Sequence, residues 1–366
     1  MSAIIMELGN LVFNYEAQRH NVTEEEKLRE NLLKIIEENE MNPLYLTFIE
    51  KYGWVKNDSL SESLRVKNES ELKTIEDKIE DAVKNAGDTE VIDGLFSKAR
   101  YLAKIGDWTE SEKIYDEILS KPKTVTGRKI DANMEKARLA FFSLDTTKLK
   151  STIDEAKRLN DVGGDWDRRN RLKIYEAHYL MSVHDLKGAA ELLLDCVATF
   201  SCTELCTYQQ FMLYIVVSNL IYLDRVVLRK KIVNDPHVIT VIRELPNAER
   251  LVNSIYNCQY KEFFRALIDI LPEIHSNRFL GPQSNFIVRE YRVLAYSQFL
   301  ESYKSVMLSS MASSFDISVS LLDAELSRFI AAGRLNAKID KVGDIVETRR
   351  PDKKNAQYQE VIKKGD

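Results

Sequence analysis

Glycine and proline are scarce, 13 and 7 among 366 residues, while charged residues make up 30% and hydrophobic ones 44%. So few turn formers suit helices, and the length is too great for one ordinary core. It asks for two or three domains, or an elongated repeat array with a cap. Cysteine is nearly absent, with only Cys196, Cys202, Cys206 and Cys258, and the chain does not open with a basic segment, an apolar core and a small-residue cleavage site. The expectation is a soluble intracellular protein with reduced thiols. The most apolar stretch, 211–223, is interrupted by Ser218 and Asn219 and falls short of the roughly 20 residues of a membrane span. An excess of positive charge is lacking as well: 52 Lys and Arg stand against 57 Asp and Glu, a net charge of −5, so the whole-chain field repels phosphate backbones rather than gathering them.

Catalytic signatures are missing too. The sequence has no G-x-x-x-x-G-K-S/T phosphate loop, no H-E-x-x-H and no G-x-S-x-G elbow. His20, His178, His184, His237 and His275 form no H-x-H pair with a carboxylate suited to metal-dependent isopeptide cleavage. Gly163 and Gly164 read as a turn. Cys202 and Cys206 are separated by three residues near Cys196 and His184, but no second matching pair follows to close a zinc site. On a helix they would sit one turn apart as small packing residues. No enzyme activity, metal or cofactor is expected.

What the chain does contain is helical periodicity. In 24–40, Leu28, Leu32, Ile35 and Ile36 mark one apolar face; Pro43, Gly53 and the polar run 57–63 punctuate; 69–84 resumes through Leu72, Ile75, Ile79 and Val83. From Asp93 the pattern repeats. Ala99, Leu102, Gly106, Ser111, Tyr115 and Ile118 are matched 78 residues later by Ala177, Leu180, His184, Ala189, Leu193 and Cys196. Small residues let two helices approach, the turn residue reverses the chain, and large residues fill the groove beside the next pair, as in a tetratricopeptide-like array. Segments 128–144 and 147–160 supply a further hairpin. Helices are also expected at 208–223, 247–256, 260–271 and 284–300, with prolines and Gly281 between them.

Near Tyr303 the signals change. Residues 303–311 read as a helix, Asp316 as the cap of the next, and Leu322, Leu326, Phe329 and Ile330 as its buried stripe before Gly333. Segments 335–339 and 345–348 then alternate apolar and polar residues around a Gly-containing turn. Helix, helix and hairpin describe a winged-helix module, and Tyr358, Val361 and Ile362 give a last short helix one apolar face. The fold expected is mainly α: an arm (1–92), a helical-repeat superhelix (93–300), a winged helix (301–350) and a C-terminal assembly helix (351–366).

The tail SYKSVMLSSMASSFDISVSLLDAELSRFIAAGRLNAKIDKVGDIVETRRPDKKNAQYQEVIKKGD, with GDWTESEKIYDEILSK at Gly106 and GGDWDRRNRLKIYEAHYL at Gly163, resembles the PCI family of scaffold subunits. That family occurs in the proteasome lid, the signalosome and a translation initiation factor, and the form of this tail is similar to the lid members. The resemblance implies a non-catalytic scaffold that supports ATP-dependent degradation of ubiquitinated proteins by assembling and positioning other lid and base subunits. It also implies contact with a small acidic disordered lid subunit, and a cytoplasmic and nuclear location. By the same resemblance, wings pair edge to edge and C-terminal helices gather in a bundle. The wing here carries Leu335, Ala337, Ile339, Ile345 and Val346, and the bundle helix Tyr358, Val361 and Ile362. An exposed hairpin edge offers unpaired backbone groups, and a short helix with an apolar stripe needs a partner.

Two other readings remain at this stage. A signalosome PCI scaffold would share the fold. A winged-helix nucleic-acid-binding regulator would need a basic second helix, whereas 317–330 carries Asp323, Glu325 and Arg328. Basic residues instead gather at the wing and its exit: Arg334, Lys338, Lys341, Arg349, Arg350, Lys353 and Lys354. Trp108 and Trp166, each in a Gly-Asp-Trp sequence, read as anchors between hairpins, or as exposed hot spots if burial says otherwise.

Overall fold

The computed structural model describes residues 2–19, 21–85, 87–348 and 361–362. These belong to two compact units: Met1–Ile215 with His275–Pro282, and Val216–Ile274 with Gln283–Asp366.

The first unit opens with α1 (Ser2–Ala17), α2 (Val22–Glu38), α3 (Asn42–Tyr52) and α4 (Asp58–Asn85). Three hairpins follow: α5 (Asp88–Ile105) with α6 (Trp108–Ser120), α7 (Thr126–Ser143) with α8 (Thr146–Gly163), and α9 (Trp166–Ser182) with α10 (Leu186–Asp195). Each hairpin also packs on the next, through α6 on α7 and α8 on α9. The N-terminal segment belongs to this packing, since α1 lies on α7 and α5 and α4 on α5. Four helices begin at an aspartate whose carboxylate accepts backbone N–H groups, Asp107, Asp145, Asp165 and Asp185, each cap stabilising by about 1 kcal/mol.

The repeat has the structural meaning its spacing suggested. Ala99, Ser111, Ala177, Ala189 and Leu193 are fully buried, and Ser111 Oγ donates to the Ala99 carbonyl at 2.8 Å, tying α6 to α5. The two turn positions both adopt left-handed backbone, Gly106 at φ 91° and His184 at φ 67°. Gly106 is required on a second count, because a Cβ there would lie 2.6 Å from that of Leu44. The long helix α11 (Tyr208–Tyr222) follows; its run from Phe211 to Val217 is buried on every side, as an all-apolar helix must be.

The second unit contains α12 (Arg225–Leu228), α13 (Pro236–Ile242), α14 (Pro246–Tyr256), α15 (Tyr260–His275) and α16 (Ser284–Leu300). Pro236 and Pro246 stand in the first turns of their helices, where the missing N–H costs nothing. The winged helix then comprises β1 (Ser305–Met307), α17 (Leu308–Phe315), α18 (Val319–Ala331), β2 (Ala337–Asp340) and β3 (Ile345–Thr348). The sheet is antiparallel in the order β1-β3-β2, with Val346 opposite both Val306 and Ile339. Its neighbours share an aromatic core: Phe315 lies 4.9 Å from Tyr296, 5.0 Å from Tyr260, 5.2 Å from Phe264 and 5.4 Å from Phe299, between ring centroids.

Several sequence expectations are corrected. Residues 303–311 are not one helix: β1 occupies 305–307, where Val306 is buried between two exposed neighbours, so the sheet has three strands. Asp316 does not cap α18. It closes α17 at φ 60°, and the cap of α18 is Ser318, which accepts from the Leu321 N–H. The polar run 57–63 is no break but the start of α4, led by Asn57 Oδ1 accepting from the Leu60 N–H. Pro272 lies inside α15 rather than ending it. The segment holding Cys202 and Cys206 is a turn-containing loop, not a helix.

Candidate interaction surfaces

The wing exposes backbone more than side chains. Leu335, Ala337 and Val346 are buried and Ile339 is half-buried opposite Val346 on the inner face, whereas Ile345, half-buried opposite Met307 and Asp340, lies on the outer face. With β3 in the middle, the outer edges of β1 and β2 carry no strand partner among the described residues. Exposed apolar groups flank those edges, Met307 on β1 and Val342 at the wing tip, the latter 99% exposed.

Ion pairs consume part of the wing's positive charge. Arg334 Nη1 donates to Glu290 Oε1 at 2.9 Å, and Lys341 pairs with Asp323. The helix that would enter a DNA groove turns its glutamate inward: Glu325 is buried, paired with Arg292 and accepting from Tyr296 Oη at 2.6 Å. Lys338 remains exposed. Arg349, Arg350, Lys353, Lys354 and Tyr358 lie outside the described residues. Val361 and Ile362 are helical and exposed.

The first unit carries a charged cleft of about 740 Å³ to which α5, α7 and α9 contribute. Arg100 grips Glu135 (2.7 Å), Arg168 bridges Asp131 (2.8 Å) and Asp165 (2.6 Å), and Arg171 meets Glu204 (2.5 Å). Tyr115 Oη donates to Glu135 Oε2 at 2.6 Å. Arg138 is 8% exposed, with Glu135 at 3.3 Å. Sequence reading missed this ladder, although its pairs Arg100–Glu135, Arg168–Asp131 and Arg171–Glu204 recur at separations of 35, 37 and 33 residues. That is one two-helix repeat, and such charge pairs are the signal that could have revealed it.

Burial separates the two tryptophans. Trp108 is half-buried, its ring 4.1 Å from that of Phe142; Trp166 is 67% exposed beside Asp165 and Asp167. Cys196, Cys202 and Cys206 are buried free thiols, and burial pushes the Cys196 thiol up to about 11. Among the described residues no three His, Cys, Asp or Glu side chains converge as metal ligands, and no helix is long and apolar enough to cross a membrane.

The family profile described as 26S proteasome subunit RPN7 matches residues 57–231, and that of the PCI domain matches 267–350. The chain is 45% identical to the 26S proteasome non-ATPase regulatory subunit 6 homolog of Arabidopsis thaliana over 94% of this chain and 88% of that protein. It is 40% identical to the 26S proteasome non-ATPase regulatory subunit 6 of Dictyostelium discoideum, over 98% and 93%. The COP9 signalosome complex subunit 1 of Arabidopsis thaliana matches at 28% over only 39% of this chain and 32% of its own length.

Proposed function

The chain belongs to the family of the 26S proteasome non-ATPase regulatory subunit 6, and on that premise we propose that it is a non-catalytic scaffold of the regulatory-particle lid. In this reading it holds other regulatory subunits in place and so supports ATP-dependent degradation of ubiquitinated proteins in cytoplasm and nucleus. The observation that carries the proposal is the winged helix with two open sheet edges, attached to a chain whose relatives are named regulatory subunits. An edge strand pairs readily with another sheet, so the wing is the assembly surface for other PCI subunits. Because Leu335, Ala337 and Val346 are buried, pairing runs through the backbone of β2, with Ile339, Ile345 and Val342 beside it.

The second assembly element is the segment 351–366, with Tyr358, Val361 and Ile362 as its apolar stripe. The arm, superhelix and wing divide the remaining work: 1–92 and 93–300 offer side-chain surfaces, and 301–350 the strand edge. The Arg100-to-Arg171 ladder is the surface we assign to a small acidic disordered subunit, whose carboxylates would exchange with Glu135 and Glu204 for the arginines.

The test is a native pull-down of the intact chain beside one lacking 351–366, with partners identified by mass spectrometry. Lid and ATPase-ring subunits, reduced on truncation, are expected. Signalosome subunits, or nucleic acid without either complex, would overturn the proposal.

A further inference from the structure

The loop 276–280 inserts into the first unit and is pinned on both sides of Arg278. Asn277 Nδ2 donates to Tyr214 Oη at 2.9 Å, and its Oδ1 accepts from the N–H groups of Phe279 (3.0 Å) and Leu280 (3.2 Å). The Phe279 ring sits edge-on to His178 at 5.2 Å and to Phe141 at 6.1 Å. Held this way, Arg278 is only 8% exposed. Its Nη2 donates to the Phe142 carbonyl, but Nη1 has no hydrogen-bond partner among the described residues. Gly9 makes room for that nitrogen, since a Cβ there would lie 2.2 Å away.

A second orphaned donor adjoins it. Trp108 Nε1 is buried without a hydrogen-bond partner among the described residues, and its ring packs at a tilt against Phe142, the ring that the Arg278 guanidinium also faces at 5.8 Å. Arg278 and Trp108 line one cleft of about 370 Å³, walled by Val12, Phe13, Leu44 and Phe48. The carboxylate that also lines this cleft, Glu16, is held by Lys51, likewise in the lining, at 2.7 Å and by Tyr52 Oη, which donates at 2.8 Å. A buried charge with an unfilled donor is expensive. Water would fill the donor but bring no negative charge to the guanidinium, whose one electrostatic partner, Glu16, makes no hydrogen bond to it, whereas a carboxylate supplies both. An apolar pocket of this size with a few convergent polar groups is the ordinary form of a ligand site.

We propose that this cleft binds a carboxylate carried on a short apolar body, the carboxylate accepting from Arg278 Nη1 and Trp108 Nε1 while the body lies against the apolar wall. Burial, which pulls the Arg278 guanidinium down to about 10 against the opposing pull of Glu16, is the cost that such a ligand offsets. The site shares no residue with the wing or with the arginine ladder, and it does not depend on the scaffold reading.

The experiment is a titration of the full chain, labelled with ¹⁵N at tryptophan, following the indole N–H signals of Trp54, Trp108 and Trp166. The probes are 3-phenylpropionate, its neutral amide, and an end-blocked Leu-Glu-Leu peptide. The Trp108 signal is expected to move saturably with at least one acid, with affinity about tenfold or more above that for the amide, while Trp54 and Trp166 stay put. In Arg278→Met the response is lost. Tighter peptide binding identifies the source as a protein side chain, and tighter phenylpropionate a free small molecule; both support the site. An equal response to acid and amide, no response to either acid at about 10 mM, or a response that survives Arg278→Met overturns it. The acid-against-amide comparison needs no variant, so a folding defect in Arg278→Met leaves the test intact.

Discussion

The two units are built on different principles. In the first, helices α5 to α10 lean on one another in series, and the Arg100–Glu135 and Arg168–Asp131 pairs stitch each hairpin to the next. In the second, rings from α15 and α16 converge on Phe315 of α17, and the buried carboxylate of Glu325 joins α18 to α16. A serial array spreads its cohesion over neighbour-to-neighbour contacts, so its long polar faces stay available. A unit knotted around one cluster keeps its side chains inside and offers its strand edges instead.

That contrast can be broken most forcefully at the aromatic cluster. Phe315→Ala is expected to cost about 4 kcal/mol and to remove hydrogen-exchange protection from α15 to α18 together, whereas Phe96→Ala, of similar burial, should cost as much but loosen mainly α5 and α6. Equal spread in both would contradict the serial account. The buried carboxylate comes next: Glu325→Ala leaves Arg292 and Tyr296 without their partner and should cost about 3 kcal/mol by denaturant melting. Arg100→Ala, from a side chain that is half exposed, should stay within about 1 kcal/mol.

Acid sharpens the comparison a little less. Burial holds the His178 ring down to about 4 from 6.5, against the raising effect of its bond to the Ile174 carbonyl. The unfolded chain therefore binds more protons between those values, and stability falls as pH drops through the window. The first unit should lose on the order of 2 kcal/mol between pH 6.5 and 4.5, a slope that His178→Leu removes. A melting profile with no such difference between the two proteins would count against a neutral buried ring. Smallest is His184→Gly: relieving left-handed backbone at φ 67° should raise stability by about 1 kcal/mol, measurable as a small increase in Tm.

Much of this was readable from spacing. The offset of 78 placed Ala99 and Ala177, Gly106 and His184 in equivalent roles because helix packing repeats its demands on size and backbone angle. The same reasoning found both wing strands β2 and β3, whose alternation reflects a half-buried sheet. It failed where the signal was shorter than a period. Strand β1 has three residues, too few to alternate, and its identity comes from pairing with β3, 40 residues away. The cap of α18 passed to Ser318 because Asp316 was taken by the left-handed end of α17. Neither the arginine ladder nor the Arg278 cleft was legible from local pattern, since their members meet only after the hairpins stack and the loop 276–280 returns to the first unit.

On the proposed scaffold role, the chain joins other regulatory subunits through its wing and tail. Native mass spectrometry of the complex purified through the full-length chain tests it most directly. The account predicts one copy of the chain in an assembly whose other members are proteasome regulatory subunits. A free chain, or one held among signalosome subunits, would contradict it.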